Sequence, residues 1–107
     1  MINKKKINVC VFCGSKQGKS SEYFEKSKKL GYYISKNRWN LVFGGGNQGL
    51  MGAIASGFDS TKARIFSVVP TALNERKILI KKKNKKIVVK SLFLRKKKMI
   101  SLSDIFI

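Results

Sequence analysis

Asn40-Leu-Val-Phe-Gly-Gly-Gly-Asn-Gln-Gly-Leu-Met-Gly-Ala-Ile-Ala-Ser-Gly-Phe58 decides the fold. Its first four residues form a short apolar run, the pattern of a strand buried on both faces. Three glycines follow at once, and glycine allows the tight turn and close backbone approach that other residues resist. Residues 48–58 are small and apolar at helical spacing, so they read as a helix packed against a sheet. Strand, glycine turn and buried helix together form one half of a parallel crossover unit. In such a unit the helix N-terminus can face an anion.

Working outward, residues 7–13 form a second apolar run rich in β-branched side chains, and residues 14–19 form a loop. A helix is expected from Ser21 to Lys36, with Ser20 or Ser21 as its N-cap and Glu22 in its first turn. Its inner side carries Tyr23, Phe24, Leu30, Gly31 and Ile34, and Lys26, Lys28, Lys29 and Lys36 take the solvent side. Residues 64–69 read as a third buried strand ended by Pro70, and 77–86 as a basic, irregular connector. A short strand over 87–90 leads to a helix over 91–103 with Leu92, Leu94, Met99 and Leu102 inward. Residues 104–107 open another strand. This alternation predicts an α/β fold in one domain spanning 1–107, a Rossmann-like parallel sheet flanked by helices. The last strand stops where a ligand-facing loop would follow, so the domain is expected to be incomplete at its C-terminal end.

Hydrophobic residues make up 43% of the chain, enough for a globular core. The formal net charge is +19, from 24 Lys and Arg against 5 Asp and Glu. A basic surface can bind nucleic acid through phosphates. Here the cations are mostly lysine and spread along the chain, with no aromatic alternation for stacking, so they read as a solvated coat. Nucleic-acid contact is then expected to be weak and driven by charge alone. The absence of histidine excludes Ser-His-Asp triads, Cys-His dyads and most zinc sites. Cys10 and Cys13 lie three apart on a strand and so point to opposite faces, which suits neither a disulfide nor a metal. No stretch is long enough to span a membrane. The expected setting is the reducing cytoplasm.

Two nucleotide motifs are approached and missed. Gly14-Ser-Lys-Gln-Gly-Lys-Ser20 is one residue short of a P-loop, and Cys13 stands where its first glycine belongs. Gly44-Gly-Gly-Asn-Gln-Gly49 matches a dinucleotide fingerprint but follows the second strand. It also lacks the acidic residue that would hold a ribose. Arg95 stands apart from the run Lys96-Lys-Lys98. It falls on the inner arc with Leu92 and Met99, where its guanidinium reads as a contact to phosphate or ribose rather than a packing group.

Four segments, in order and spacing, resemble the Lonely Guy family of cytokinin riboside 5′-monophosphate phosphoribohydrolases, whose bacterial members include AMP-hydrolysing proteins. They are Val9-Cys-Val-Phe-Cys-Gly-Ser15, Val42-Phe-Gly-Gly-Gly-Asn-Gln-Gly-Leu-Met-Gly52, Val68-Val-Pro70, and Arg95-Lys96 with Met99 and Ser103-Asp-Ile-Phe-Ile107. The resemblance implies hydrolysis of the N-glycosidic bond of a nucleoside 5′-monophosphate, without cofactor or metal, by a protein that is a homodimer at full length. It puts Arg95 in the place of the catalytic arginine, with Lys96 beside it. Ser15, Gly44, Gly45, Gly46, Gly49 and Met51 then surround the substrate. The family's next segment, Pro-Gly-Gly-x-Gly-Thr-x-x-Glu, carries the phosphate loop and catalytic glutamate and does not occur here. A further substrate-contacting glutamate falls on Lys77, with Glu75 as a shifted candidate, and the glycines usual before the third strand are Lys62 and Ala63. The chain alone is therefore expected to lack turnover. The alternative expectation is a non-enzymatic module that binds nucleotide or nucleic acid.

Overall fold

The computed structural model describes residues 6–12, 21–47, 49–73 and 79–107. β1 is Asn8–Cys10, α1 Ser21–Lys36, β2 Asn40–Phe43, α2 Gly49–Gly57 and β3 Ile65–Pro70. A single 3-10 turn, Thr71–Leu73, precedes β4 at Lys85–Val89, and α3 (Leu92–Leu102) leads into β5 at Ile105–Phe106. Strand and α-helix alternate from β1 to β3 and again from β4 to β5. The strands of the sheet all pair parallel, in the order β4-β3-β2-β1-β5. The chain steps outward from β1 to β4 and then returns to the far side of β1. Its topological switch point therefore lies between β1 and β5.

Alternation along the strands sorts the core into two faces. Val9, Leu41, Phe43 and Ile65 pack with Ile34 of α1 and Ile54 of α2. Cys10, Val42 and Val68 point the other way and meet Met99 of α3. The helices thus cover both faces, as the parallel sheet requires. α1 and α2 touch backbone to backbone. A Cβ on Gly31 would overlap the Ile54 carbonyl, which is why the inner face of α1 carries a glycine there. The C-terminal end of α2 is held by Lys82, whose Nζ donates to the carbonyls of Ala55 (2.8 Å), Ser56 (3.2 Å) and Phe58 (2.7 Å). A cation at the negative end of a helix dipole also fits electrostatically.

At the strands' entry ends, polar side chains join neighbouring strands. Asn8 donates to the Leu102 carbonyl at 2.8 Å and accepts from Asn40 at 2.9 Å, and Asn40 accepts from the Arg64 N–H at 2.9 Å. These bonds fix the relative heights of β5, β1, β2 and β3, and so the level at which their exit ends open.

Several expectations need correction. Tyr23 is 57% exposed instead of facing the core, because it lies in the first turn of α1 and its ring can keep its hydroxyl in water. Leu92 (66% exposed) and Leu94 (39%) do not face the core either. α3 is seated through Met99 and Leu102, and its first turn stands clear of the sheet. Ser91 caps that turn, accepting from the Leu94 N–H at 3.1 Å. β4 begins at Lys85, inside the span read as connector. It is an outer strand with Lys85 and Lys86 exposed, so it shows no apolar alternation in the sequence. Hydrogen bonding to β1's neighbours continues through Val11 and Phe12, which donate to Val42 and Ile107, so the first apolar run stays extended past Cys10. Cys13, Ser20 and Gln48 lie outside the described residues.

Candidate functional site

A cleft of about 460 Å³ opens at the exit ends of β1 and β2, beside the switch point. Ligands bind parallel α/β sheets at such a position because the strand ends and helix turns splay apart there. Val11 and Phe12 continue β1 into it, Gly44 continues β2, Met51 comes from α2, and Leu92, Arg95, Lys96 and Met99 come from α3.

Arg95 is fixed by backbone. Its Nε donates to the Val68 carbonyl at 2.9 Å and its Nη2 to the Gly44 carbonyl at 2.5 Å. One side chain thus ties α3 to the ends of β2 and β3. The approach needs a glycine, since a Cβ on Gly44 would collide with the guanidinium. Partial burial draws the Arg95 pKa down from its ordinary value. Arginine titrates so high that the group stays a cation. Its Nη1 donors have no partner among the described residues, so they remain available to an anion. The expectation that Arg95 has no packing role is thus corrected, because its guanidinium holds strand ends. Lys96, next in the helix, is exposed at the rim.

The glycine turn divides into two parts. Gly44 lines the cleft, whereas Gly45 and Gly46 are tied to a later segment. The Gly45 carbonyl accepts from Ile80 N–H at 2.9 Å, and Gly46 forms an antiparallel bridge with Leu79. Gly45 has φ +83°, and a Cβ there would crowd Ser67 and Val69, so the sequence needs glycine on both counts. The Gly46 N–H donates to Met51 Sδ at 3.0 Å, a weak acceptor that also sets the Met51 side chain at the cleft. Gly49 opens α2 with φ +60° and does not line the cleft. Of the expected site residues, Gly44, Met51, Arg95 and Lys96 come together, and Gly45, Gly46 and Gly49 shape the turn behind them. Ser15, Glu75 and Lys77 lie outside the described residues.

Phe12 and Val11 escaped the sequence reading because they looked like the tail of a buried strand. Phe12 is in fact 45% exposed. The available signal was positional: residues just past the first strand of such a sheet sit at the switch point. Leu92 and Met99 are both expected inward; Met99 is buried and also lines the cleft, whereas Leu92 lines it from the exposed first turn of α3. The result is an apolar slot with an aromatic ring and two thioethers, and a fixed cation with a second one beside it. That combination suits a ligand with a flat apolar part and an anionic part. Among the described residues, no carboxylate lines the cleft. No cluster of His, Cys, Asp and Glu suited to a metal occurs among the described residues.

Comparison with known proteins gives the family and the fold. The family model described as the SLOG cluster4 family matches residues 6–107. The cytokinin riboside 5′-monophosphate phosphoribohydrolase LOG5 of Arabidopsis thaliana is 34% identical over 99 residues, covering 92% of this chain and 43% of the relative. LOG3 of the same plant is 33% identical over 107 residues, covering all of this chain and 50% of the relative. The chain therefore spans about half the length of these curated relatives. Among solved structures, a molybdenum cofactor binding protein of Rippkaea orientalis superposes with a TM-score of 0.79 at 18% identity, covering 97% of this chain and 62% of that one. The Moco carrier protein of Chlamydomonas reinhardtii gives 0.76 at 19% identity, covering 95% and 60%. At these identities the likeness is one of fold, the Rossmann-like parallel α/β sheet. With a family model matched over residues 6–107 and relatives at 33–34% identity, the chain belongs to the SLOG cluster4 family, the Lonely Guy family its segments resemble.

Proposed function

We propose that this chain is the nucleotide-holding part of a hydrolase that cleaves the N-glycosidic bond of nucleoside 5′-monophosphates. Cytokinin riboside monophosphates and AMP are the substrates proposed, and base and ribose 5-phosphate the products. The observation that carries the reading is Arg95, pinned by the Gly44 and Val68 carbonyls at the wall of an apolar cleft. Bound this way, its unengaged donors and Lys96 take the phosphate or ribose oxygens. Phe12, Met51 and Met99 offer the surface on which a base can lie.

Bond cleavage asks for more than holding. Departure of the base builds positive charge on the ribose, and a carboxylate must offset that charge or activate water. Among the described residues none lines the cleft, and the family's Pro-Gly-Gly-x-Gly-Thr-x-x-Glu segment does not occur in these 107 residues. The chain by itself therefore binds without turnover. The active protein is proposed as a homodimer that includes that segment. Titration calorimetry with AMP and a cytokinin riboside monophosphate tests the binding, and chromatography of released base tests the chemistry. Binding without release by the chain, and release after a family segment bearing the motif is fused beyond Ile107, are the expected results. Absence of nucleotide binding would overturn the reading. A fusion that binds yet never releases base would instead favour a non-enzymatic nucleotide-binding module.

A further inference from the structure

β4 is an outer strand, and no strand pairs with its far edge among the described residues. The Val89 carbonyl accepts from the Thr71 hydroxyl on the β3 side at 3.0 Å. Main-chain direction alternates along a strand, so Lys86 and Val88 turn their N–H and C=O groups outward. Beside that edge runs an open groove of about 560 Å³, with Val88, Val89 and Leu94 as its apolar surface and Lys97 and Lys98 of α3 as its far wall. Val88 is 46% and Leu94 39% exposed, so apolar surface faces water here.

The charge around this edge has one sign. Residues 79–103 contain no Asp or Glu, and Lys85, Lys86, Lys90, Lys97 and Lys98 are exposed along the strand and the groove. Lysines on an edge strand discourage pairing with another copy of the same edge, because the two rows repel. They do not discourage a strand of opposite charge. An added strand would sit about 4.8 Å from β4 and lay alternate side chains over the groove. Apolar side chains there would meet Leu94 and Val89, and carboxylates would meet the lysines. A phosphate backbone would use the lysines only, leaving the aliphatic surface and outward main-chain groups unused.

We propose that the outer edge of β4 and the groove beside α3 dock an extended acidic segment of a partner protein, with apolar and acidic residues alternating, as an added strand. This inference is independent of the nucleotide cleft, which lies at the exit ends of β1 and β2.

The test uses the 107-residue chain and a short fluorescent peptide alternating Glu and Val, read by anisotropy. Three competitors accompany it: the same peptide with central Val replaced by Pro, a single-stranded oligonucleotide, and vesicles of anionic phospholipid. The alternating peptide should bind roughly tenfold or more tightly than the proline-broken one, because proline removes ladder hydrogen bonds without altering charge. Leu94→Asp, at a half-exposed position, and the paired change Lys97→Glu with Lys98→Glu should each weaken binding by a similar factor. Circular dichroism would confirm that these variants stay folded, and Lys28→Glu on α1 serves as a charge control that should retain binding. Equal binding of the two peptides, or equal losses from Lys28→Glu and the α3 pair, would overturn the proposal in favour of unspecific charge attraction. Tighter binding of the oligonucleotide or vesicles, insensitive to Leu94→Asp, would overturn it in favour of those surfaces.

Discussion

The Nη2 atom of Arg95 reaches the Gly44 carbonyl at 2.5 Å through the space that a side chain on Gly44 would fill. A residue on the third helix and a residue at the end of the second strand are thus mutually dependent. The glycine is needed for its missing Cβ, and the arginine is needed to close the exit ends of β2 and β3. Gly44→Ala should displace the guanidinium and forfeit one charge-assisted hydrogen bond, a loss of about 1–3 kcal/mol. Urea unfolding should show a lower midpoint with the same slope, and AMP binding should fall alongside it. An unchanged midpoint would mean that Arg95 moves aside freely and that the pairing is not needed.

The tie that Arg95 makes between strand ends can be separated from the ligand contact proposed for it. Arg95→Ala leaves the Gly44 and Val68 carbonyls without their donor and removes the cation from the cleft, so stability and nucleotide binding should both drop. At about 1–3 kcal/mol the melting temperature would fall by several degrees. Arg95→Lys restores charge but not the planar fork that spans two carbonyls and still presents donors outward. It should recover part of the binding and little of the stability. Full recovery of both by lysine would show that charge alone is needed there.

Lys82 offers a stability prediction away from the cleft. Its Nζ meets three carbonyls at the end of α2, and burial pulls its pKa down against the pull of nearby Asp59. Lys82→Met keeps the aliphatic stem and removes the donor. The expected cost is about 1–2 kcal/mol, read by thermal unfolding. Hydrogen exchange should quicken at the C-terminal end of α2 more than in α1. Equal protection in both proteins would assign the lysine no more than a surface role.

What the sequence made legible follows from periodicity. β2, α2 and β3 carry mostly apolar patterns, since they are largely buried, and the three α-helices lie within a residue of expectation at each end. β4 was partly missed because an outer strand obeys no such rule and its first residues are Lys85 and Lys86. The cleft was half legible. Gly44, Met51, Arg95 and Lys96 belong to recognisable segments, whereas Phe12 looked like core and only the sheet order places it at an opening. The division of labour within the glycine turn was not legible at all. It depends on Leu79 and Ile80 arriving from far along the chain to occupy Gly45 and Gly46.

Cys10 provides a test of the sheet's centre through pH. It is fully buried in β1, paired in register with Val42 on one side and Phe106 on the other. Burial raises its thiol pKa above the ordinary 9.0, and a hydrogen bond with Ser103 offsets only part of that rise. A raised folded-state pKa means that the folded chain keeps its proton when the unfolded chain has begun to lose it. This contribution to stability is complete below pH 9.0 and is lost as pH climbs through the higher folded value. In a Cys13→Ala background, so that one thiol remains, unfolding free energy measured between pH 7 and pH 10.5 should fall at the alkaline end. Cys10→Ala in that background should lower stability at neutral pH, because it removes a buried side-chain atom, yet flatten the alkaline decline. Alkylation by iodoacetamide at pH 8 should likewise proceed only as fast as the sheet opens, and added denaturant should accelerate it sharply. If the alkaline slope survives Cys10→Ala unchanged, or the folded chain alkylates as fast as a free thiol, Cys10 is not sealed between β2 and β5. The central register of the sheet would then have to be redrawn.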